Sequence, residues 1–172
     1  MARTLLADLF PPLRLIAALF FLPLALAACT GGALAPGLVA RMDAPGASLD
    51  RAEALKLINQ YRSSRGVAPL RADASLDASA QALADQYARN STRPAKPQNG
   101  IVHMSLSAGY SNFADTFSGW RGRPEEANAI ANATASTAGI AVAYAPSSTY
   151  GVHWVLLLGA PDVPLTPVPA SR

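Results

Sequence analysis

Apolar side chains recur with a period near 3.6 along two neighbouring stretches of the chain. In the first, Leu55, Ile58 and Tyr61, with Leu57 beside them, fall on one side of a helix starting at Asp50. Asp50 and Glu53 have the spacing of a capping box, with Asp in place of Ser or Thr. Gly66 stands past the last turn, and Pro69 keeps the connection from continuing as helix. Asp73 then caps a second helix running to about Asn90, with Leu76, Ala80, Leu83, Ala84 and Tyr87 on its apolar side. The stretch from Asn59 to Ala84 is thus helix, tight connection, helix.

The pattern changes downstream. Residues 91–102 read as a loop, punctuated by Pro94 and Pro97 and by the turn pair Asn99–Gly100. A short strand is placed near Ile101–Ser105, followed by a polar Ser/Gly stretch. Phe113, Phe117 and Trp120 lie at helical spacing over 112–120, which fits core better than a lipid-lined groove, and a short helix is placed near 125–132. Residues 139–144 and 152–159 read as two strands joined by a turn, an antiparallel hairpin at the centre of a sheet. The element order describes an α+β fold in which helices cover one small antiparallel sheet, an α–β–α sandwich.

The ends of the chain belong to no folded element. Arg3 and Arg14 precede or open an uncharged apolar run from Leu15 to Ala28, so residues 1–28 read as an export signal, too short and Pro-interrupted for a membrane span. Leu26-Ala27-Ala28-Cys29 resembles a bacterial lipobox, which implies a diacylglycerol on the Cys29 thiol and acylation of the new N-terminus. Cys29 is the only cysteine, so no intrachain disulfide can form. Residues 29–48 are Gly/Ala/Pro-rich and read as a tether. The Pro-rich tail 161–172 cannot pair as an inner strand. The domain proper spans 49–160. Thr30, rather than an aspartate, follows the cysteine, which resembles export onward to the outer membrane.

Charge adds little. Signal removal takes away Arg3, Arg14 and Asp8 and lowers the formal +3 by one. There is no cluster of Lys and Arg with interleaved aromatics, so nucleic acid is not an expected partner. A polybasic membrane patch is not expected either. The lipid on Cys29 is the expected membrane contact, with a lipid or an envelope protein as the further partner.

Asn59, Arg62, Gly66, Leu70, Leu76 and Ala80 fit the pattern N-x-x-R-x-x-x-G-x-x-x-L-x-x-x-x-x-L-x-x-x-A. With Pro69, Asp73 and Ala84, this stretch resembles the opening of the CAP superfamily domain (cysteine-rich secretory proteins, antigen 5, pathogenesis-related 1), in its bacterial, cysteine-poor branch. The resemblance covers roughly residues 50–160 and implies the α–β–α sandwich. It also implies a cavity lined by two histidines and two glutamates, which in some members binds a divalent metal such as zinc. Other members are associated with sterols, fatty acids or peptide-like partners. His103 stands where the family has its first cavity histidine, and Trp120 resembles the tryptophan of the third helix.

This chain departs from that pattern. Residues 104–119 hold no glutamate, and Asp115 is their only acid. Six residues past Trp120, where the second histidine is usual, stands Glu126. Only His103 of the tetrad is matched. No cofactor is therefore expected, unless His103 and His153 rebuild a zinc site with Glu125 or Glu126. Asn128 is left a structural role. His153 and Trp154 are adjacent in a strand, so one is expected to face inward and the other outward. Arg62 is expected to reach from helix to loop, bonding carbonyls or Asp73. Ser105, Ser107 and Ser111 lack a G-x-S-x-G context and read as turn serines. The ligand or cavity candidates are His103, Glu125, Glu126, His153 and Trp120. The leading expectation is a lipid-anchored, extracytoplasmic, non-catalytic domain that binds a small apolar ligand or an envelope partner. The alternative is a metal-assisted hydrolase acting on peptide or cell-wall material.

Overall fold

The fold is taken from a computed structural model, which describes residues 33–98 and 100–161. The signal segment, Cys29, Asn99 and the tail beyond Pro161 lie outside the described residues.

Two helices form where the apolar period places them. Helix α2, Arg51–Ser64, follows a short turn of helix, α1, Pro36–Val39. The Asp50 carboxylate accepts from the Glu53 backbone N–H at 3.0 Å, which satisfies one of the unpaired donors of the first turn. The chain leaves α2 through Gly66, whose φ of +70° costs a residue without Cβ little. Asn59 then ties helix to connection: its side chain donates to the Leu70 carbonyl at 2.9 Å and accepts from the Leu70 N–H at 2.8 Å. The two residues that follow, Arg71–Ala72, are strand β1, which the sequence pattern did not mark. Asp73 caps helix α3, Ala74–Asn90, by accepting from the N–H groups of Ser75 and Leu76.

Strand β2 runs over Ile101–Ala108, longer than the short strand expected at Ile101–Ser105, and it takes in Ser107, which had read as part of the polar stretch. Helix α4 follows over Phe113–Arg121 and helix α5 over Pro124–Ile130. Strands β3, Thr137–Tyr144, and β4, Val152–Gly159, form the expected hairpin. The sheet order is β1-β3-β4-β2, antiparallel apart from the two-residue parallel pairing of β1 with β3. Every residue of β4 is buried, because α3 covers one face of the sheet while α1, α2, α4 and α5 cover the other.

The register decides which side chains share a face. His103 pairs with Leu158, Ser105 with Leu156 and Ser107 with Trp154, so these point to the layer of α2, α4 and α5. Val155, Leu157 and His153 point to α3. His153 and Trp154 do face opposite ways, but neither faces solvent; both are fully buried. Phe113, Phe117 and Trp120 are core, with Phe113 and Phe117 stacked at 5.9 Å between centroids.

The stretch expected to be an unpacked tether is partly packed. Leu38 and Met42 are buried in the layer containing α2 and α4, and the Met42 N–H donates to the Ser111 carbonyl at 2.7 Å. Two apolar residues supply no period, which is why the sequence pattern did not reveal the docking.

Arg62 is the costliest group in the core. It is fully buried, and burial pushes its pKa below the usual value. Its guanidinium donates to the carbonyls of Ala68 at 2.8 Å, Ile130 at 2.7 Å, Asn132 at 3.0 Å and Ala135 at 3.1 Å. Asp73 is not among these partners. A planar fork of donors suits this job, and it holds the end of α2 to the chain between α5 and β3.

Candidate functional site

Two of the candidates, His103 and Glu126, converge with Ser105 at one edge of the sheet. His103 and Ser105 are two apart on β2 and share a face. The first turn of α5 brings Glu126 over them. The Ser105 hydroxyl donates to Glu126 Oε2 at 2.7 Å, and His103 Nε2 lies 3.0 Å from both that oxygen and Ser105 Oγ. An ionised carboxylate only accepts, so the proton facing it sits on His103 Nε2. Arg123, one turn earlier on the same chain segment, brings its guanidinium to 3.8 Å from Glu126 Oε1. Burial alone pushes the Glu126 pKa up. The hydrogen bonds from His103 and Ser105, with the charges of His103 and Arg123, outweigh it and hold the carboxyl below its ordinary value.

A cleft of about 460 Å³ opens beside the trio, lined by Arg93, Arg123, Pro124, Glu125 and Glu126. Glu125 is exposed at its rim rather than joined to the trio, and Asn128 is exposed, 3.5 Å from the Arg65 guanidinium. Trp120 takes no part in the cleft. It is buried, and its indole N–H donates to the Leu106 carbonyl at 3.2 Å. His153 lies on the opposite face of the sheet, against Tyr87 with centroids 4.5 Å apart, and its Nε2 meets Ser148 Oγ at 2.6 Å. The sheet itself therefore separates His103 from His153, and the rebuilt metal site that pairs them does not form.

The trio does not have the geometry of a nucleophile relay. His103 does not stand between Ser105 and Glu126; all three meet at one oxygen, and Ser105 is fully buried where no substrate carbonyl can reach it. Nor do the residues fit a zinc centre: His103 and Glu126 supply two donors where zinc takes three or four from protein. Among the described residues, no three His, Cys, Asp or Glu side chains converge.

Ser105, Arg93 and Arg123 were not singled out from sequence as site residues. Reading the whole of 101–108 as a strand places Ser105 beside His103, and the i, i+3 spacing of Arg123 and Glu126 on a helix start pairs those two. Arg93 comes from the loop after α3, and no sequence signal points to it.

An α–β–α sandwich with this element order is the fold that the resemblance at residues 59–84 implied. The chain belongs to the cysteine-rich secretory protein (CAP) family, whose model matches residues 55–158. Among solved structures, the fold is similar to an outer surface protein of Borrelia burgdorferi, with 19% identity and a TM-score of 0.53 over 67% of this chain and 98% of that one. It is similar to MpPR-1i, with 21% identity and a TM-score of 0.53 over 67% and 92%. It is also similar to an extracellular SCP-domain protein of Bacillus anthracis, with 11% identity and a TM-score of 0.52 over 63% of this chain and 39% of that one. A comparison with curated protein sequences gives no match.

Proposed function

We propose that this protein is a lipid-anchored, extracytoplasmic CAP domain that binds an envelope partner rather than transforming a substrate. The observation that carries the reading is the closure of the trio. Glu126 Oε2 already accepts from Ser105 and His103, which leaves the imidazole and the hydroxyl engaged with each other's partner rather than aimed at a ligand. The surface beside it presents Arg93, Arg123 and Glu125. Charged walls recognise a polar, charged segment of a partner protein in preference to a small apolar molecule, and both faces of the sheet are already filled by side chains. Cys29 supplies the anchor, on the lipobox resemblance, and the outer membrane is the site that Thr30 favours.

Metal-assisted hydrolysis is the second reading, kept because His103 Nε2 and Glu126 Oε2 lie together at 3.0 Å. A photo-crosslinker placed at Arg93 in cells producing the full chain separates the two. A discrete protein adduct that is lost on Arg123→Glu supports binding. Absence of any adduct, together with stoichiometric metal that disappears on His103→Ala, overturns binding in favour of the hydrolase.

A further inference from the structure

The described residues expose four large apolar side chains: Leu34, Val39, Tyr110 and Tyr150. Tyr110 and Tyr150 lie at one end of the sheet, and Leu34 and Val39 flank the start of the segment that enters at that end. Tyr110 directly follows β2, and the neighbouring Gly109 N–H donates to the Val152 carbonyl at 2.9 Å. Tyr150 lies in the turn between β3 and β4, where its ring is 3.9 Å from the place a Cβ on Gly109 would occupy. The entering segment reaches this end through the bond from Met42 to Ser111. Gly37, between Leu34 and Val39, packs against Asp50 at the start of α2.

The two tyrosine-bearing turns, residues 109–111 and 145–151, carry no charge, while Asp50 and Asp115 are the exposed acids nearest them. The only charges in 33–49, Arg41 and Asp43, are paired with each other. Helix α3 also ends here, with Ser91 Oγ 3.5 Å from Ser148 Oγ, and it adds the exposed Arg89. The far end of the sheet, about 25 Å away for eight-residue strands, presents Arg71 instead.

Cys29 is five residues ahead of Leu34, and five extended residues reach at most about 17 Å. Because the stretch after Leu34 is packed onto the domain, a lipid on Cys29 leaves this end of the sheet no room to travel far from the bilayer. Tyrosine rings are suited to the headgroup layer, where one edge is apolar and the hydroxyl stays wet, and a nearby arginine suits anionic headgroups. We propose that the end of the domain bearing Leu34, Val39, Tyr110 and Tyr150 rests on the membrane that carries the lipid. The inference relies on the lipid-anchor reading of Cys29. The opposite end, with β1, then faces away from the bilayer.

The test uses the full chain, purified with its lipid. Cys29 is the only cysteine and its sulfur is consumed by the lipid, so a second cysteine gives a single labelling site. Thr149→Cys, which leaves Tyr150 in place, and Arg71→Cys are labelled with a fluorophore. The proteins are reconstituted into phosphatidylethanolamine–phosphatidylglycerol vesicles containing a headgroup-labelled nitroxide lipid. Quenching several-fold stronger at position 149 than at 71, and reduced when Tyr110→Ser and Tyr150→Ser are added, supports the proposal. Equal quenching at the two positions, or no change on removing both tyrosines, overturns it. Mass spectrometry of the N-terminal peptide tells the two failures apart. Lipid on Cys29 with equal quenching overturns the membrane-facing surface alone, and an unmodified Cys29 overturns the anchor reading with it.

Discussion

Gly139 of β3 lies directly against the backbone of Leu76 in α3, so close that a Cβ there would overlap the Leu76 carbonyl carbon and the Asp77 nitrogen. Backbone meets backbone at this point, and Asp77 Oδ1 then accepts from the Ile140 N–H at 2.8 Å. Helix and strand cannot separate by a methyl's width without losing that bond and the packing of Leu76. Gly139→Ala is expected to destabilise the domain by about 3 kcal/mol, the upper range for overpacking a core. The midpoint of urea unfolding by circular dichroism measures it. A loss no greater than that of a Gly122→Ala control, at an exposed position with φ of −70°, contradicts the close contact.

Arg62→Met removes the donor to four carbonyls and leaves buried acceptors without partners. The expected cost is on the order of 3 kcal/mol or more. Arg62→Lys is expected to recover only part of it, because an ammonium cannot reproduce the planar spread of donors. Hydrogen exchange should show the loss first in residues 130–135 and at the end of α2. Uniform loss across the domain would contradict a local clamp.

Glu126 is held below its ordinary carboxyl pKa, so the folded state binds its proton less readily than the unfolded chain does. Its contribution to stability is therefore present above the unfolded value and lost as pH falls through the folded one. Thermal unfolding between pH 5 and pH 3 should show a downward slope that flattens in Glu126→Gln. An unchanged slope would show that the trio is not coupled to folding.

Burial pushes His153 below the usual imidazole value. The folded chain keeps it neutral while the unfolded chain takes up a proton, so stability present above the unfolded value of 6.5 declines as pH falls below it. His153→Phe keeps a ring against Tyr87 and is expected to remove that decline. Unfolding midpoints at pH 7 and pH 5.5 check it. An equal decline in both proteins would assign it to another group.

The features legible in the sequence are those decided by neighbours in the chain. Asp50, Asp73 and Gly66 announce helix starts and a helix stop through residues two to four positions away, and all three do what their spacing suggests. Long apolar runs placed β3 and β4 for the same reason. What was hidden depends on distant partners. Strand β1 is two residues long and exists only because Arg71 and Ala72 meet Thr137 and Ala138. The separation of His103 from His153 follows from the register of β2 on β4, including a shift between Ile101 and His103, and no local pattern carries that register. The site was half legible. Position and residue type singled out His103 and Glu126, whereas Ser105 was set aside as a turn serine.

Strand β4 occupies an inner position in the sheet and is the last element of the domain in chain order. Both faces of this strand are covered by helices, so residues late in the domain complete its core. A nascent chain that has not yet extended past Val152 holds β2 and β3 without the inner strand that joins them, so the sheet closes late. Its pairings then span long loops, β2 to β4 among them, and that topology favours slow, cooperative folding over stepwise growth from the N-terminus. Loss of β4 alone would therefore remove the strand that both β2 and β3 pair with.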